Sequence, residues 1–118
     1  MRKWKSIAAI LAVLGLGLAV APAQAGKTVK KNISIGDYFF APEKLTVSKN
    51  TYVIWHWPKA GGDSHDVALK KGPKGVKKFR SDIFAADESY KQKLSVAGRY
   101  SIICTLHPDT MKLTITVK

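Results

Sequence analysis

The segment CTLHPDTM, residues 104–111, holds the side chains with the most distinctive chemistry in this chain. It contains the only cysteine, Cys104, followed by His107 and then by Met111. A thiolate, an imidazole and a thioether are soft or borderline donors, and at this spacing a single metal ion can reach all three. Because the chain has no second cysteine, Cys104 cannot form an intramolecular disulfide. The segment therefore predicts a metal site.

A second imidazole is available from His65, which follows the turn-forming sequence GGDS and precedes Val67 and Leu69. We expect His65 to lie in a loop at the start of a strand. Two imidazoles, one thiolate and a weak thioether suit copper in both oxidation states, whereas structural zinc prefers four strong ligands. The predicted cofactor is one copper ion. His56 lies between two tryptophans in an apolar segment and is interpreted as structural.

The elements that position these side chains are predicted to be β-strands. Apolar residues alternate with a period of two from Thr28 onward, and no segment shows a helical stripe. Turn signals such as Gly36-Asp37 and Ala97-Gly98 separate the apolar segments. The pattern predicts an all-β fold, a Greek-key β-sandwich of about seven to eight strands. The apolar segments are residues 29–35, 45–47, 51–57, 67–69, 90–96, 98–104 and 111–117.

The direction of each side chain follows from this alternation. Cys104 has the same parity as Tyr100 and Ile102 and should point into the core. Met111 has the same parity as Leu113 and should begin a second core-facing row. Both sulfur atoms are therefore expected near one end of the sandwich, with His107 in the short loop between the two strands.

The N-terminal segment predicts export. Residues 1–25 combine a basic start, an apolar run and an Ala23-Gln24-Ala25 cleavage site, as in a secretory signal peptide. The alternative is a retained membrane anchor, but the apolar run is shorter than the ~20 residues that span a bilayer. We expect residues 26–118 to form a single domain in the periplasm or outside the cell.

The charge balance limits the partners of this exported domain. Removing residues 1–25 takes away three of the 20 basic residues and none of the 8 acidic residues, which leaves a formal charge of +9. Export makes nucleic acid an improbable partner, so acidic protein surfaces or anionic lipid head groups remain. The segment KKGPKGVKKFR, residues 70–80, carries six positive charges and is predicted to be a solvated loop. Its functional interpretation is electrostatic steering toward an acidic redox partner.

From Ile33 to the C-terminus the sequence resembles the small blue copper proteins of the plastocyanin, amicyanin and pseudoazurin group, the cupredoxins. The matching segments are ISIGDYFFAPEKLTVSKNTYVIWHW, SHDVAL, FRSDIFAADESYKQKLSVAGRYSIICTLHP and MKLTITV. The resemblance implies that His65, Cys104, His107 and Met111 are the copper ligands. It also implies a mobile one-electron carrier, and not an enzyme, in which copper alternates between Cu(II) and Cu(I) and electrons pass through His107.

The sequence departs from these relatives at three places. Asp66 stands where many of them have Asn, at a position that supports the ligand loops, so the exchange is expected to alter the reduction potential. The spacing Cys-x2-His-x3-Met is intermediate between the x2 and x4 spacings that are more usual. Leu113 stands where the family commonly has Gly, which affects packing beneath the loop more than ligation.

Three other functions fit the sequence less well. A copper carrier or scavenger without an electron-transfer role would be expected to have more Met or His than this chain. An enzyme using Cys104 as nucleophile and His107 as base would need converging side chains and a third orienting group. A metal-free adhesive sandwich leaves the lone thiol unexplained. The sequence therefore favours a monomeric blue copper protein that docks weakly with redox partner proteins.

Overall fold

The computed structural model describes residues 27–118, and these fold into eight β-strands arranged in two four-stranded sheets, with no helix in that range. The predicted all-β sandwich and its strand number are confirmed. The predicted signal peptide, residues 1–25, lies outside the described residues.

Seven of the eight strands overlap the predicted apolar segments, and the short second strand was not predicted. The bounds are β1 Lys30–Gly36, β2 Phe39–Ala41, β3 Lys44–Val47, β4 Thr51–His56, β5 Ala68–Lys71, β6 Ser89–Leu94, β7 Gly98–Ile103 and β8 Lys112–Val117. The first sheet has the order β2-β1-β4-β6 and the second has the order β3-β8-β7-β5. The pairs β1 with β4 and β3 with β8 are parallel, and the other pairs are antiparallel.

The core lies between the two sheets and is built by alternate residues of each strand. In β1 and β4 the buried residues include Ile33, Val53 and Trp55, and in β7 and β8 they include Ile102 and Ile115. The outward side chains of β4 are also partly covered, because the Nζ atoms of Lys91 and Lys93 lie 5.1 and 5.8 Å from the ring centroid of Tyr52. This cover explains why β4 is apolar on both faces of the sheet.

The strand pairings bring the predicted donor residues to one end of the sandwich. In the antiparallel pair β7 and β8, Ile103 is opposite Lys112, so residues 104–111 close a loop at that end. Strand β5 is antiparallel to β7 with Ala68 opposite Ile103, so His65, just before β5, reaches the same end. We call this end the metal end.

Lys70 and Lys71 belong to β5, so the predicted loop over residues 70–80 is wrong at these two residues. The segment between β5 and β6 is irregular, as predicted for the rest of the lysine-rich residues. It is held to the sandwich by isolated bridges that pair His65 with Phe84 and Ala68 with Arg80. Within residues 27–118, no helix is long and apolar enough to cross a membrane.

Candidate metal centre

Three of the four predicted ligand residues meet at the metal end. The donor atoms of His65, Cys104 and His107 all lie within 4.8 Å of one another. The Cys104 Sγ atom is 4.0 Å from His65 Nδ1 and 3.7 Å from His107 Nδ1. Bonds of about 2.3 Å to sulfur and about 2.0 Å to nitrogen, at 120° around one ion, place these atoms about 3.7 Å apart. The three donors therefore fit a single ion in trigonal coordination.

The centre is closed on the side of the core and open at one point. His65 and Cys104 have no exposed surface, whereas the side chain of His107 is 23% exposed. Solvent and partner molecules therefore approach the donor atoms through the imidazole of His107.

Backbone hydrogen bonds fix the loop that carries two of these donors. The N–H groups of His107 and Met111 donate to the carbonyl oxygens of Cys104 and His107 at 3.1 and 3.0 Å. The N–H of Cys104 donates to the carbonyl of Met111 at 3.2 Å and closes the loop. Met111 is fully buried and heads the core-facing row that continues with Leu113. The structure therefore places Met111 beside Cys104 at the metal end.

A carboxylate that the sequence analysis missed orients His65. His65 Nε2 lies 3.0 Å from Asp37 Oδ1, which also accepts a hydrogen bond from the Asp63 N–H at 2.9 Å. The hydrogen bond from His65 is the main cause of the lowered pKa of Asp37, and the Asp63 N–H adds to it. With Nε2 donating to Asp37, Nδ1 presents its lone pair toward Cys104, which is the tautomer that binds a metal.

A second pair of residues missed in the sequence encloses His107. Tyr38 has a positive φ of 73°, and its ring meets the His107 ring edge-on at a centroid distance of 4.9 Å. The Tyr38 hydroxyl donates to Asp63 Oδ2 at 3.0 Å, and this oxygen lies 3.6 Å from His107 Nε2. That hydrogen bond is the main cause of the lowered pKa of Asp63 and of the raised pKa of Tyr38. His107 is thus held between an aromatic ring and a carboxylate.

The buried carboxylate of Asp66 joins the two loops that carry the donors. Asp66 Oδ1 accepts from the Thr105 N–H at 2.7 Å, and Oδ2 accepts from the Thr105 hydroxyl at 2.6 Å. The Asp66 N–H faces Cys104 Sγ at 3.5 Å. Asp66 is fully buried, and Arg80 supplies its counter-charge through a 3.0 Å bond from Nε to Oδ2. The sequence marked Asp66 as a loop support but grouped Arg80 only with the basic loop.

His56, the remaining histidine, lies outside this group of donors. It is an exposed residue at the end of β4, and its Nε2 atom lies 2.8 Å from Asn32 Oδ1. Its interpretation as a structural residue agrees with this position.

Comparison with known proteins decides the family. Residues 27–118 match the family model of copper binding proteins, the plastocyanin/azurin family. The chain belongs to this family. It is similar to amicyanin from Paracoccus versutus, with 36% identity over 72 residues that make up 59% of this chain and 51% of the relative. The chain thus spans about half the length of that relative.

Solved structures of this family share the fold. The crystal structure of amicyanin from Paracoccus versutus has a TM-score of 0.64 and 28% identity, covering 85% of this chain and 87% of the other. A pseudoazurin from Sinorhizobium has a TM-score of 0.65 at 23% identity, covering 77% of this chain and 75% of the other. The predicted cupredoxin fold is confirmed. His65, Cys104 and His107, with Met111 at the head of β8, have the arrangement of a type 1 copper site, which confirms copper as the cofactor.

Replacing Arg80 with Gln is expected to destabilise the fold. Asp66 would keep its bonds to Thr105 but would lose its charged donor, and an under-satisfied buried acceptor costs about 1–3 kcal/mol. The measurement is the free energy of unfolding of the copper-free protein in denaturant.

The matched control is Arg99→Gln, which removes the same charge from an exposed position on β7. This control should change the free energy of unfolding by less than about 0.5 kcal/mol. Equal losses in the two variants would show that the bond to Asp66 contributes nothing specific.

Proposed function

We propose that this protein is an exported blue copper protein that acts as a mobile one-electron carrier. The observation that carries the proposal is the closed group of one thiol and two imidazoles, in which only His107 has exposed surface. Copper, when bound there, would accept or release one electron as it changes between Cu(II) and Cu(I). The residues of the chain hold the donors, exclude water and connect the centre to the surface.

Four residues would hold the copper ion, with His65, Cys104 and His107 as the strong ligands and Met111 as a weak thioether ligand. The distances from Cys104 Sγ to the two Nδ1 atoms, 4.0 and 3.7 Å, support the three strong ligands. Full burial of Met111, together with its backbone bond to Cys104, supports the fourth ligand.

Rigid donors support fast electron transfer. Asp37 holds His65, Tyr38 packs against His107, and Asp66 joins the ligand loops. Side chains that are held in one geometry by hydrogen bonds and packing need little rearrangement when the charge of the centre changes. A site that keeps its geometry in both oxidation states is suited to an electron carrier.

The surface around His107 supports weak docking. Tyr38 is 49% exposed and packs on His107, and the neighbouring residue Leu106 is 45% exposed. A small apolar patch with the conducting imidazole at its centre suits the short-lived contacts of redox partners. We place the exit and entry of electrons at His107.

Two alternatives are less well supported. A copper carrier that hands on its ion needs accessible donors, but His65 and Cys104 have no exposed surface. The same burial argues against an enzyme with Cys104 as nucleophile, because a sulfur without exposed surface cannot attack a substrate in solution. We therefore favour electron transfer, carried out by the chain as a monomer.

The lysine-rich segment supports a partner with an acidic surface. Its last residue, Arg80, is bonded to Asp66 beside the centre, whereas Pro73 lies against Gly98 at the opposite end of the sandwich. The segment therefore runs down one side of the molecule from the metal end. A partner that docks over His107 comes close to the lysines nearest the metal centre. Long-range attraction between these lysines and an acidic surface on the partner would raise the rate of encounter.

Adding Cu(II) to the purified protein should produce an intense blue colour that ascorbate bleaches, because a thiolate bonded to Cu(II) absorbs visible light strongly. Cys104→Ser and His65→Gln should abolish the colour, whereas His56→Gln should keep it. The measurement is the visible absorption spectrum. A colourless wild-type protein would refute the proposed function.

Met111→Leu tests the thioether ligand. The two side chains have similar volume, so the free energy of unfolding of the copper-free protein should fall by less than about 1.5 kcal/mol. A weak thioether ligand tunes the reduction potential of a blue copper site. The potential measured by voltammetry should therefore rise when the thioether is replaced by an apolar group. An unchanged potential and spectrum would assign Met111 to the core alone.

Electrostatic steering predicts that the rate constant for electron transfer with the physiological partner falls as salt is raised. Between ~10 and ~100 mM salt the screening length shortens from about 30 to about 10 Å. Lys70→Gln, Lys71→Gln and Lys78→Gln together should lower the rate at low salt, because these exposed lysines lie nearer the centre than the basic end does. The matched control neutralises Lys30, Lys31 and Lys49, at the opposite end. A rate independent of salt would remove the steering hypothesis.

A further inference from the structure

Charge is segregated along the length of the sandwich. Five of the acidic residues lie in the loops that carry or adjoin the metal-binding residues, namely Asp37, Asp63, Asp66, Asp82 and Asp109. Asp87 and Glu88 lie at the same end, because their backbones are hydrogen-bonded to those of Pro58 and Trp57. The carbonyl oxygen of Glu43 accepts a hydrogen bond from the N–H of Thr114, which lies in the half of β8 nearer the metal centre. All 8 acidic residues therefore lie in the half of the molecule that contains the metal end. They are Asp37, Glu43, Asp63, Asp66, Asp82, Asp87, Glu88 and Asp109.

The opposite end, which we call the basic end, is formed by the starts of β1, β4 and β7 and the ends of β3, β6 and β8. Backbone bonds from Lys49 to Lys118 and from Tyr52 to Val29 hold these strand ends together. No acidic residue among residues 27–118 lies there. The cations at this end are Lys30, Lys31, Lys49, Lys74, Lys77, Lys93, Arg99 and Lys118.

The two ends act as independent electrostatic surfaces. A strand of six residues is about 20 Å long, whereas the screening length at physiological salt is about 8 Å. A charged surface near the basic end is therefore screened from the carboxylates at the metal end. The attraction of the basic end is not cancelled by the acidic loops.

The basic end also has features that suit a lipid surface. Its cations come from several strands and one loop, so they form a broad surface and not a pocket. Val29 and Val96, which are 44% and 37% exposed, lie among them and can enter the head-group layer.

We infer that the basic end binds an anionic phospholipid bilayer and directs the metal end away from it. Each lysine close to an anionic bilayer strengthens binding about fivefold, so the cations at this end are sufficient for reversible attachment. Diffusion along the membrane would then keep His107 available to partners. The inference rests on one part of the proposed function, the export of the protein, and it does not depend on bound copper.

The test is co-sedimentation of the protein, purified from the exported fraction, with vesicles of phosphatidylglycerol and phosphatidylcholine. We expect binding to the anionic vesicles that weakens as salt rises, and little binding to pure phosphatidylcholine. The test variant combines Lys30→Gln, Lys31→Gln, Lys49→Gln and Lys118→Gln and should bind several hundredfold more weakly, at about fivefold for each lysine. The matched control combines Lys44→Gln, Lys59→Gln, Lys70→Gln and Lys112→Gln, which removes the same charge from exposed positions elsewhere.

Several outcomes would overturn the inference. Equal loss of binding in the two variants would show that net charge alone is responsible. Equal binding to neutral vesicles, or binding to heparin but not to vesicles, would exclude an anionic bilayer as the partner. Because co-sedimentation needs no copper, a colourless protein that still binds through the basic end would refute the proposed function and leave this inference standing.

Orientation is tested separately on the copper-loaded protein. Bleaching by ascorbate should proceed at the same rate with and without anionic vesicles, because the metal end faces the solvent. A rate several times slower on vesicles would place His107 against the lipid and contradict the proposed orientation.

Discussion

The buried carboxylate of Asp66 is the constraint on which the metal centre depends. It bonds to Thr105 through both oxygens while its own backbone N–H faces the sulfur of Cys104. In a buried, weakly polarisable environment such bonds are strong, and leaving them unmade is costly. The loop that ends in His65 and the loop that begins at Cys104 are therefore joined by the fold itself. The donor geometry does not rely on an ion to bring the loops together.

Much of this arrangement could be predicted from the sequence, because it depends on local patterns. Alternation placed Cys104 and Met111 on core-facing rows, and both residues are buried. The end at which His65 lies needed the strand order, which the alternation does not contain. Asp37 and Tyr38 could not be assigned, because they contact the two histidines across long stretches of chain. In the sequence they belong only to a turn.

Arg80 shows a different limit of sequence reasoning. Composition correctly identified a solvated basic segment, but composition treats every cation in it alike. The bridge between Ala68 and Arg80 brings this one guanidinium to a buried carboxylate, while the lysines of the segment face solvent. An aspartate at position 66 requires a counter-charge when it is buried, so the two residues are physically coupled. Only the folded chain reveals which cation supplies that charge.

The separation of His65 from the other donors along the chain has a consequence for metal binding before folding. The loop from Cys104 to Met111 is closed by the local antiparallel pair of β7 and β8. His65, in contrast, meets Cys104 only through a contact between residues 39 positions apart. Closing a long loop costs conformational entropy that only the folded structure offsets. An unfolded chain therefore does not hold the three donors at the distances that one metal ion requires.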